Sequence, residues 1–572
     1  MASSWLLLAS FLALWAPQAS ADAGVYARDG KGHPVSWFVV YKLPMVARKG
    51  DATALAPTPC DCAPPNCTQL PTEALDVSAR ATGLCYLYAD SNNATLRYFR
   101  ELGYDCLGQG GDDPVSHTLR HIQPATPTDR VAPYWAIFND QLNGIAESFV
   151  PPSQEATEAV KSARTDKRVC SGSDIFSAHA KGAVAFDGHD GGFFLQTSTP
   201  NFPDPSLLGP DRTDRFIPLG CQKSNNVQFA QHVMGISLAM TAMDSLGEQL
   251  QAARLCSGNY YQDLKTALAS AQLLQDGKAP ETSANFSALY EALLNTSLES
   301  VETSPTKQLQ LREVSPSKRP RPHVFVPVRD GESLLGIEDE DPKSPMITVM
   351  VKTPRAEVPP WALLAESLVS DMSVASWWDG SYGIPNICAG DVYTNASNKF
   401  CLENAAHGVE LFSNGSAKFN VENLIEATWI LPNTTEKIHW HLVGGSHQDG
   451  NHAKWGVSTP RYGSRTNGHD DHRFVTFADL NMEGFPCSTT CHGSQAGRGG
   501  SFFIFDNPQL HTSFVDSLIS KACPCVPPSG SADVTFTAMR MCHMGCWRKV
   551  QEHLKPEELP VMTSDAASFW RP

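Results

Sequence analysis

No stretch of this 572-residue chain holds about 18 consecutive apolar residues, so nothing in it has the length of a membrane-crossing helix. Positive charge is scarce: 44 Lys and Arg stand against 60 Asp and Glu, leaving −16 at pH 7. That balance excludes a standing basic surface for a polyanion at neutral pH. Charged residues make up only 18% of the chain and hydrophobic ones 42%, which excludes a disordered protein and predicts an ordinary globular core. No cysteine spacing matches a common zinc site: Cys487-x3-Cys491, Cys523-Pro-Cys525 and Cys542-x3-Cys546 all depart from it. The even total of 16 Cys instead predicts disulfides in an oxidising compartment, and no metal or other cofactor is expected. Gly493–Ser501 is Gly-rich but lacks a phosphate-loop pattern, so it predicts a flexible loop. The chain ends without a KDEL-type retention signal.

What the sequence does contain starts with a leader. Residues 1–21 hold a short apolar run, Trp5–Trp15, and then Ala19-Ser20-Ala21, predicting a signal peptide cleaved near Asp22. Seven N-x-[ST] sequons, at Asn66, Asn93, Asn285, Asn295, Asn395, Asn414 and Asn433, predict N-linked glycans and secretory transit.

The segment that organises the chain is Ser177–Pro203, SAHAKGAVAFDGHDGGFFLQTSTPNFP. An apolar-leaning run to Phe186, a turn cluster Asp187–Gly192 and the β-prone Phe193–Thr197 predict a hairpin. Along a strand, alternate side chains share a face, so His179 and Lys181 are expected side by side. An imidazole next to an ammonium suits attack on a phosphodiester, the cation holding phosphate oxygens while the imidazole attacks or moves a proton. Asn451–Ser458, NHAKWGVS, repeats the pattern with His452 and Lys454. Each copy leads to a polar cluster ending in Asn: Ser198-Thr199-Pro200-Asn201 after the first, Ala478-Asp479-Leu480-Asn481 after the second. Asn can donate to phosphate oxygens or fix an imidazole tautomer. His-x-Lys alone is a weak signal, and a third copy, His553-Leu554-Lys555, reads as coincidence in a charged tail. The matched pair carries the argument.

SWFVVYKLP (Ser36–Pro44), Phe138-Asn139-Asp140-Gln141, HAKG with DGHDGGFF and PNFP, and HAKW together resemble the deoxyribonuclease II family. That family is similar to the phospholipase D superfamily, whose sites pair two His-x-Lys units. The resemblance covers the first part and most of the last third of the chain. It implies an α/β fold of two similar phospholipase D-like lobes, mixed sheets flanked by helices, sharing one central active site. It also implies His179, Lys181, His452 and Lys454 as the catalytic group, Asn201, Asn481 and Ser198 in support, and metal-independent cleavage of DNA in acid leaving 3′-phosphate ends. The chain departs from the family at Thr197, where a His is usual, at Val25-Tyr26, where a Cys is usual, and at Gly456, where HAKW is followed by Cys.

The expected organisation is a first lobe over 22–256, a helical insertion and linker over 257–345, and a second lobe with a Cys-rich end over 346–572. Strands are predicted at Pro34–Leu43, Cys85–Ala89, Tyr134–Asp140, Val409–Phe419, Trp429–Leu431 and Ile438–Val443. Helices are predicted over Asn225–Cys256, Tyr260–Leu274, Ala284–Leu298 and Val358–Met372, with a Ser/Pro/charge-rich linker over Thr303–Pro327. Residues 50–70, carrying Cys60, Cys62 and Cys67, predict a disulfide-pinned loop.

Charge ties these readings to acid. Protonating all 18 His adds 18 charges to −16 and gives +2, and it happens below a pKa of about 6.5. The expected reaction is a two-step displacement, His179 attacking phosphorus and His452 protonating the leaving oxygen, with both lysines stabilising charge. The compartment is then a lysosome, an acidic vacuole or the exterior. Two other readings stay open: another phospholipase D-like phosphodiesterase, and an inactive secreted DNA-binding protein.

Overall fold

The computed structural model describes residues 24–44, 62, 84–108, 111–122, 132–139, 178–188, 191–199, 229–253, 255, 271–272, 323–325, 346–352, 359–376, 386–389, 412–413, 416–435, 437–442, 450–459, 473–482, 498–523 and 525. In chain order the first elements are β1 (Trp37–Lys42), β2 (Tyr86–Asp90), β3 (Arg97–Tyr98), α1 (Pro114–Leu119), β4 (Tyr134–Asn139), β5 (Lys181–Phe186), β6 (Gly191–Thr197), β7 (Gln231–Ala239), α2 (Met240–Ala253) and β8 (Ala271–Gln272). There follow β9 (His323–Phe325), β10 (Met346–Lys352), α3 (Pro360–Leu368), β11 (Asp371–Ala375), β12 (Phe412–Ser413), β13 (Ser416–Ala417), β14 (Val421–Ile430), β15 (Lys437–His441), β16 (Trp455–Thr459), β17 (Phe474–Ala478), β18 (Gly500–Asp506), α4 (Pro508–Ser517) and β19 (Ile519–Ala522).

The described residues form a mixed α/β protein with two large sheets and few helices. One sheet runs β3-β2-β1-β7-β6-β5-β4-β8; the other runs β15-β14-β11-β16-β17-β18-β10-β9, with β19 also on β14. Five strands in each follow the same path: β1-β7-β6-β5-β4 in the first and β10-β18-β17-β16-β11 in the second. The ladders within these paths are antiparallel, whereas β11 pairs parallel with β14.

Strands β1 and β7 are buried along their whole length, because apolar rows on both faces meet other layers. One continuous apolar core joins the two sheets. Phe194 stacks on Phe503 at 5.2 Å, and Trp37 meets Phe505 edge-on at 5.2 Å. Each large side chain sequestered in such a core contributes on the order of 1.5–3 kcal/mol. The 178–199 hairpin forms as the sequence predicts, with Gly182 opposite Gln196 and Phe186 opposite Gly192. No side chain fits at position 182: a Cβ there would lie 1.9 Å from the Leu195 carbonyl oxygen. Helix α1 is capped by Asp113, whose carboxylate accepts the amides of Val115 and Ser116, with Pro114 in the first turn.

Several expected elements differ. Asn225–Cys256 is not one helix: among its described residues Gln231–Ala239 is strand β7 and Met240–Ala253 is helical. Val233 and Ile236 fit helical spacing, yet a central strand covered on both faces needs no alternation, so its period is ambiguous. Within the helix expected over Tyr260–Leu274, Ala271–Gln272 is a strand on the open edge of β4. Within the expected linker Thr303–Pro327, His323–Phe325 is a strand on the edge of β10. In both, an unpaired sheet edge captures a short segment whose local preference is weak. The helix expected over Val358–Met372 ends at Leu368, and Asp371 and Met372 already belong to β11. Gly500 and Ser501 are the start of β18 rather than loop. The Ala284–Leu298 segment lies outside the described residues.

Cys62 is bonded to Cys106 and Cys388 to Cys525. Cys85 and Cys523 are disulfide-bonded too, and no free cysteine occurs among the described residues. The Cys523-Pro-Cys525 pair thus belongs to two different bridges; of the loop expected over residues 50–70 only Cys62 is described, and the rest lies outside the described residues.

Candidate active site

His179 lies in the two residues that lead into β5, and Lys181 opens that strand; Lys181 Nζ comes within 3.3 Å of His179 Nε2. His452 likewise precedes β16, and Lys454 Nζ stands 3.4 Å from His452 Nδ1 while donating to the His452 carbonyl at 2.9 Å. All four side chains are buried. Each His-x-Lys is therefore a contact pair at the start of a strand, the first straddling the beginning of β5 and the second just before β16.

Both histidines are fixed by the other sheet. The His179 amide donates to the Gly499 carbonyl (2.9 Å), and its Nδ1–H donates to the Asp479 carbonyl (2.6 Å). The His452 amide donates to the Ala230 carbonyl (2.8 Å), and its Nδ1 lies 3.3 Å from the Ser198 carbonyl. Parallel bridges Ala178–Gly499 and Ala230–Asn451 frame these contacts. A carbonyl can only accept, so the short bond at Asp479 places the His179 proton on Nδ1 and leaves the Nε2 lone pair toward Lys181. At His452 an acceptor and a cation compete for the same nitrogen.

Burial holds the His452 imidazole well below its ordinary pKa, and the positive charges of Lys454, Lys181 and His179 push the same way, against the Ser198 carbonyl. His232, fully buried on β7, is also pushed well down, by burial first and Lys454 second.

Behind the histidines runs a relay absent from the sequence reading. The Lys454 amide donates to His232 Nδ1 (3.2 Å), which leaves His232 Nε2–H to donate to Gln196 Oε1 (3.2 Å). Gln196 Nε2 donates to Asp479 Oδ1 (2.9 Å), and Asp479 Oδ2 accepts the Ser501 amide (2.9 Å). The chain of bonds ends at the residue whose carbonyl holds His179. Ser198 plays the part of Asp479 on the other side, its Oγ accepting the His232 amide at 2.9 Å. Asn451, quoted in the motif without a role, accepts from Tyr41 and the Ala453 amide and donates to the Ala453 carbonyl. A buried glutamine facing a buried histidine was the available signal, but strand pairing had to be known to see it.

Asn481 is buried just after β17, two residues past Asp479. Asn201 lies outside the described residues. Thr197, where the resembled family has His, donates its hydroxyl to the His232 carbonyl (2.8 Å). At Gly456 a Cβ would meet the Trp361 ring at 2.8 Å, so Trp361 takes up the space a larger residue needs. No group of three or more potential metal ligands occurs among the described residues.

Two large sheets with the same five-strand path, and a buried His-Lys pair next to a strand of each, define a mixed α/β protein with imidazole and ammonium groups in contact. The family model for Deoxyribonuclease II matches residues 67–525, most of the chain. The chain belongs to the deoxyribonuclease II family, and it is accordingly a hydrolase, an acid deoxyribonuclease with DNA as substrate. No curated protein matches it.

Proposed function

We propose that the two His-x-Lys pairs form one site, between two similar phospholipase D-like lobes, that hydrolyses DNA phosphodiesters without metal. The lobes correspond to about residues 22–256 and 346–572, with 257–345 inserted between them. The observation that carries this reading is the crossing of contacts: His179 is held by the Gly499 and Asp479 carbonyls beside the second sheet, and His452 by the Ala230 and Ser198 carbonyls beside the first. The shared strand path and the matched backbone bridges support the lobes' likeness.

In the first step His179 Nε2, unprotonated because Nδ1 donates to Asp479, attacks phosphorus. An N–P bond forms as the bond to the 5′-oxygen breaks, and His452 gives that oxygen its proton. Water then attacks the phosphohistidine, His452 takes its proton, and the product leaves with a 3′-phosphate. Lys181 and Lys454 stabilise charge on the non-bridging oxygens, and Asn201, Asn481 and Ser198 support them. An incoming phosphodiester supplies the negative charge that lets His452 accept a proton in its buried position. The chain works in an acid compartment or outside the cell, where disulfides persist.

The test is a nuclease assay on plasmid DNA in EDTA from pH 4 to 8, with RNA and phosphatidylcholine alongside and end-group analysis of the products. EDTA-resistant DNA cleavage in acid with 3′-phosphate ends is expected. Loss of activity in EDTA, cleavage of phosphatidylcholine in preference to DNA, or DNA binding without product would overturn the reading.

A further inference from the structure

We propose that two buried lysines outside the His-x-Lys pairs, Lys42 and Lys352, are positioning residues, each fixing the catalytic histidine that belongs to the opposite sheet. The inference rests on the site described above. Lys42 is the last residue of β1 and Lys352 the last of β10, the strands that hold the same place in the two sheet paths. Each pairs with the first residue of the next strand, Lys42 with Gln231 and Lys352 with Gly500.

Lys42 Nζ donates to the Phe229 carbonyl at 2.6 Å, and Lys352 Nζ donates to the Arg498 carbonyl at 2.7 Å. The next residue in each case is the one that holds a histidine. Ala230, after Phe229, accepts the amides of His452 (2.8 Å) and Ala453 (3.1 Å). Gly499, after Arg498, accepts the amide of His179 (2.9 Å). Arg498 adds a bond from its guanidinium to the Ala178 carbonyl (3.2 Å). One peptide unit thus separates each lysine's anchor from a catalytic backbone across the sheets.

Lysine is an expensive residue for that place. Lys42 and Lys352 are 0% and 1% exposed, and a methionine of similar length would carry no ammonium out of water. Buried ionic groups are poor stabilisers compared with well-packed apolar residues. Two of them at one register position, each aimed at an equivalent carbonyl, point to orientation as the reason they are kept. In acid the Lys42 amine is cationic, so its bond to the carbonyl is the stronger, charge-assisted kind.

The consequences separate by arm. Lys352 acts through Gly499 on the nucleophile His179; Lys42 acts through Ala230 on the proton donor His452. The variants Lys42→Met and Lys352→Met are to be assayed on DNA and on bis(p-nitrophenyl) phosphate, whose nitrophenolate leaves without needing a proton. Each leaves a buried carbonyl without this donor, so a modest fall in thermal midpoint is expected, and both are assayed at a temperature where circular dichroism shows them folded. On DNA each should lose roughly ten- to hundredfold in kcat with KM within about twofold, the scale expected from small misplacements of reacting groups. On the nitrophenyl ester Lys352→Met should lose a similar factor in the nitrophenolate burst, while Lys42→Met should keep most of its burst. Equal losses on both substrates in both variants, or parental kcat on DNA, would overturn the proposal. Should a Met variant not fold, Lys42→Gln and Lys352→Gln carry the same comparison, since their donors fall short of the carbonyl. His179→Ala and His452→Ala run as controls. Activity in His179→Ala would sink the site itself; dead controls beside unimpaired lysine variants would sink only the lysines' role.

Discussion

At the scale of single residues, the proposed role of His452 as proton donor accounts for a need for acid. A proton donor works only while protonated, and burial together with Lys454, Lys181 and His179 keeps this imidazole neutral until the pH falls well below its usual range. The protonated fraction therefore rises as pH drops, and the free enzyme's competence rises with it. The alkaline limb of kcat/KM is expected to fall below pH 6.5, the ordinary histidine value, in steady-state assays in EDTA. A limb at or above neutrality would contradict the depressed titration. The histidines and lysines of the proposed site stand out in the sequence because their spacing repeats. Gln196, His232 and Asp479 were not legible as a relay, since their contacts run across strand pairings and between sheets, with residues as much as 283 positions apart. The role of Ser198 was half legible: the polar cluster marked it, but the mirror relation to Asp479 needed the register.

At the scale of elements, the N-terminus of α1 offers a test with a definite sign. Burial raises the Asp113 carboxyl from 3.8 to about 6, against the amide and hydroxyl bonds that lower it. A group raised in the folded state contributes stability that is fully present below the unfolded value of 3.8 and is lost as pH rises through about 6. The difference corresponds to on the order of 3 kcal/mol between those limits. Asp113→Asn keeps a capping oxygen but cannot titrate. In denaturant unfolding, the wild type should lose stability relative to this variant as pH goes from 4 to 7; parallel curves would contradict it. Elements also show where sequence reading fails. Strands β1, β2 and β4 are legible as apolar runs with β-prone composition and clear flanks. Strand β7 is not, because a strand covered on both faces leaves no alternation and its run continues directly into α2. The short strands β8 and β9 owe their state to open sheet edges, which no local pattern announces.

At the scale of the whole molecule, the charge balance sets how DNA is met. The shift from −16 toward +2 on protonating 18 histidines is an upper limit, since His232 and His452 resist protonation in their buried places. The remaining histidines still remove most of the repulsion in acid. DNA affinity of the His452→Ala protein, measured by fluorescence anisotropy at one ionic strength, should be at least about tenfold tighter at pH 5 than at pH 7. Equal affinity at the two values would mean that surface charge does not govern encounter. Two sheets were expected from the family resemblance, but neither their strand path nor the single core joining them through Phe194, Phe503, Trp37 and Phe505 was legible, as these residues lie in separate strands with no common pattern.

The central claim is that two distant His-Lys pairs act at one phosphorus atom, and the most direct measurement is plasmid cleavage by His179→Ala and His452→Ala in EDTA at acid pH. Each single change should lower cleavage by at least about a thousandfold while the circular dichroism spectrum and secretion stay those of the parent. Cleavage at near-parental rates by either variant would show that the pair is not one site.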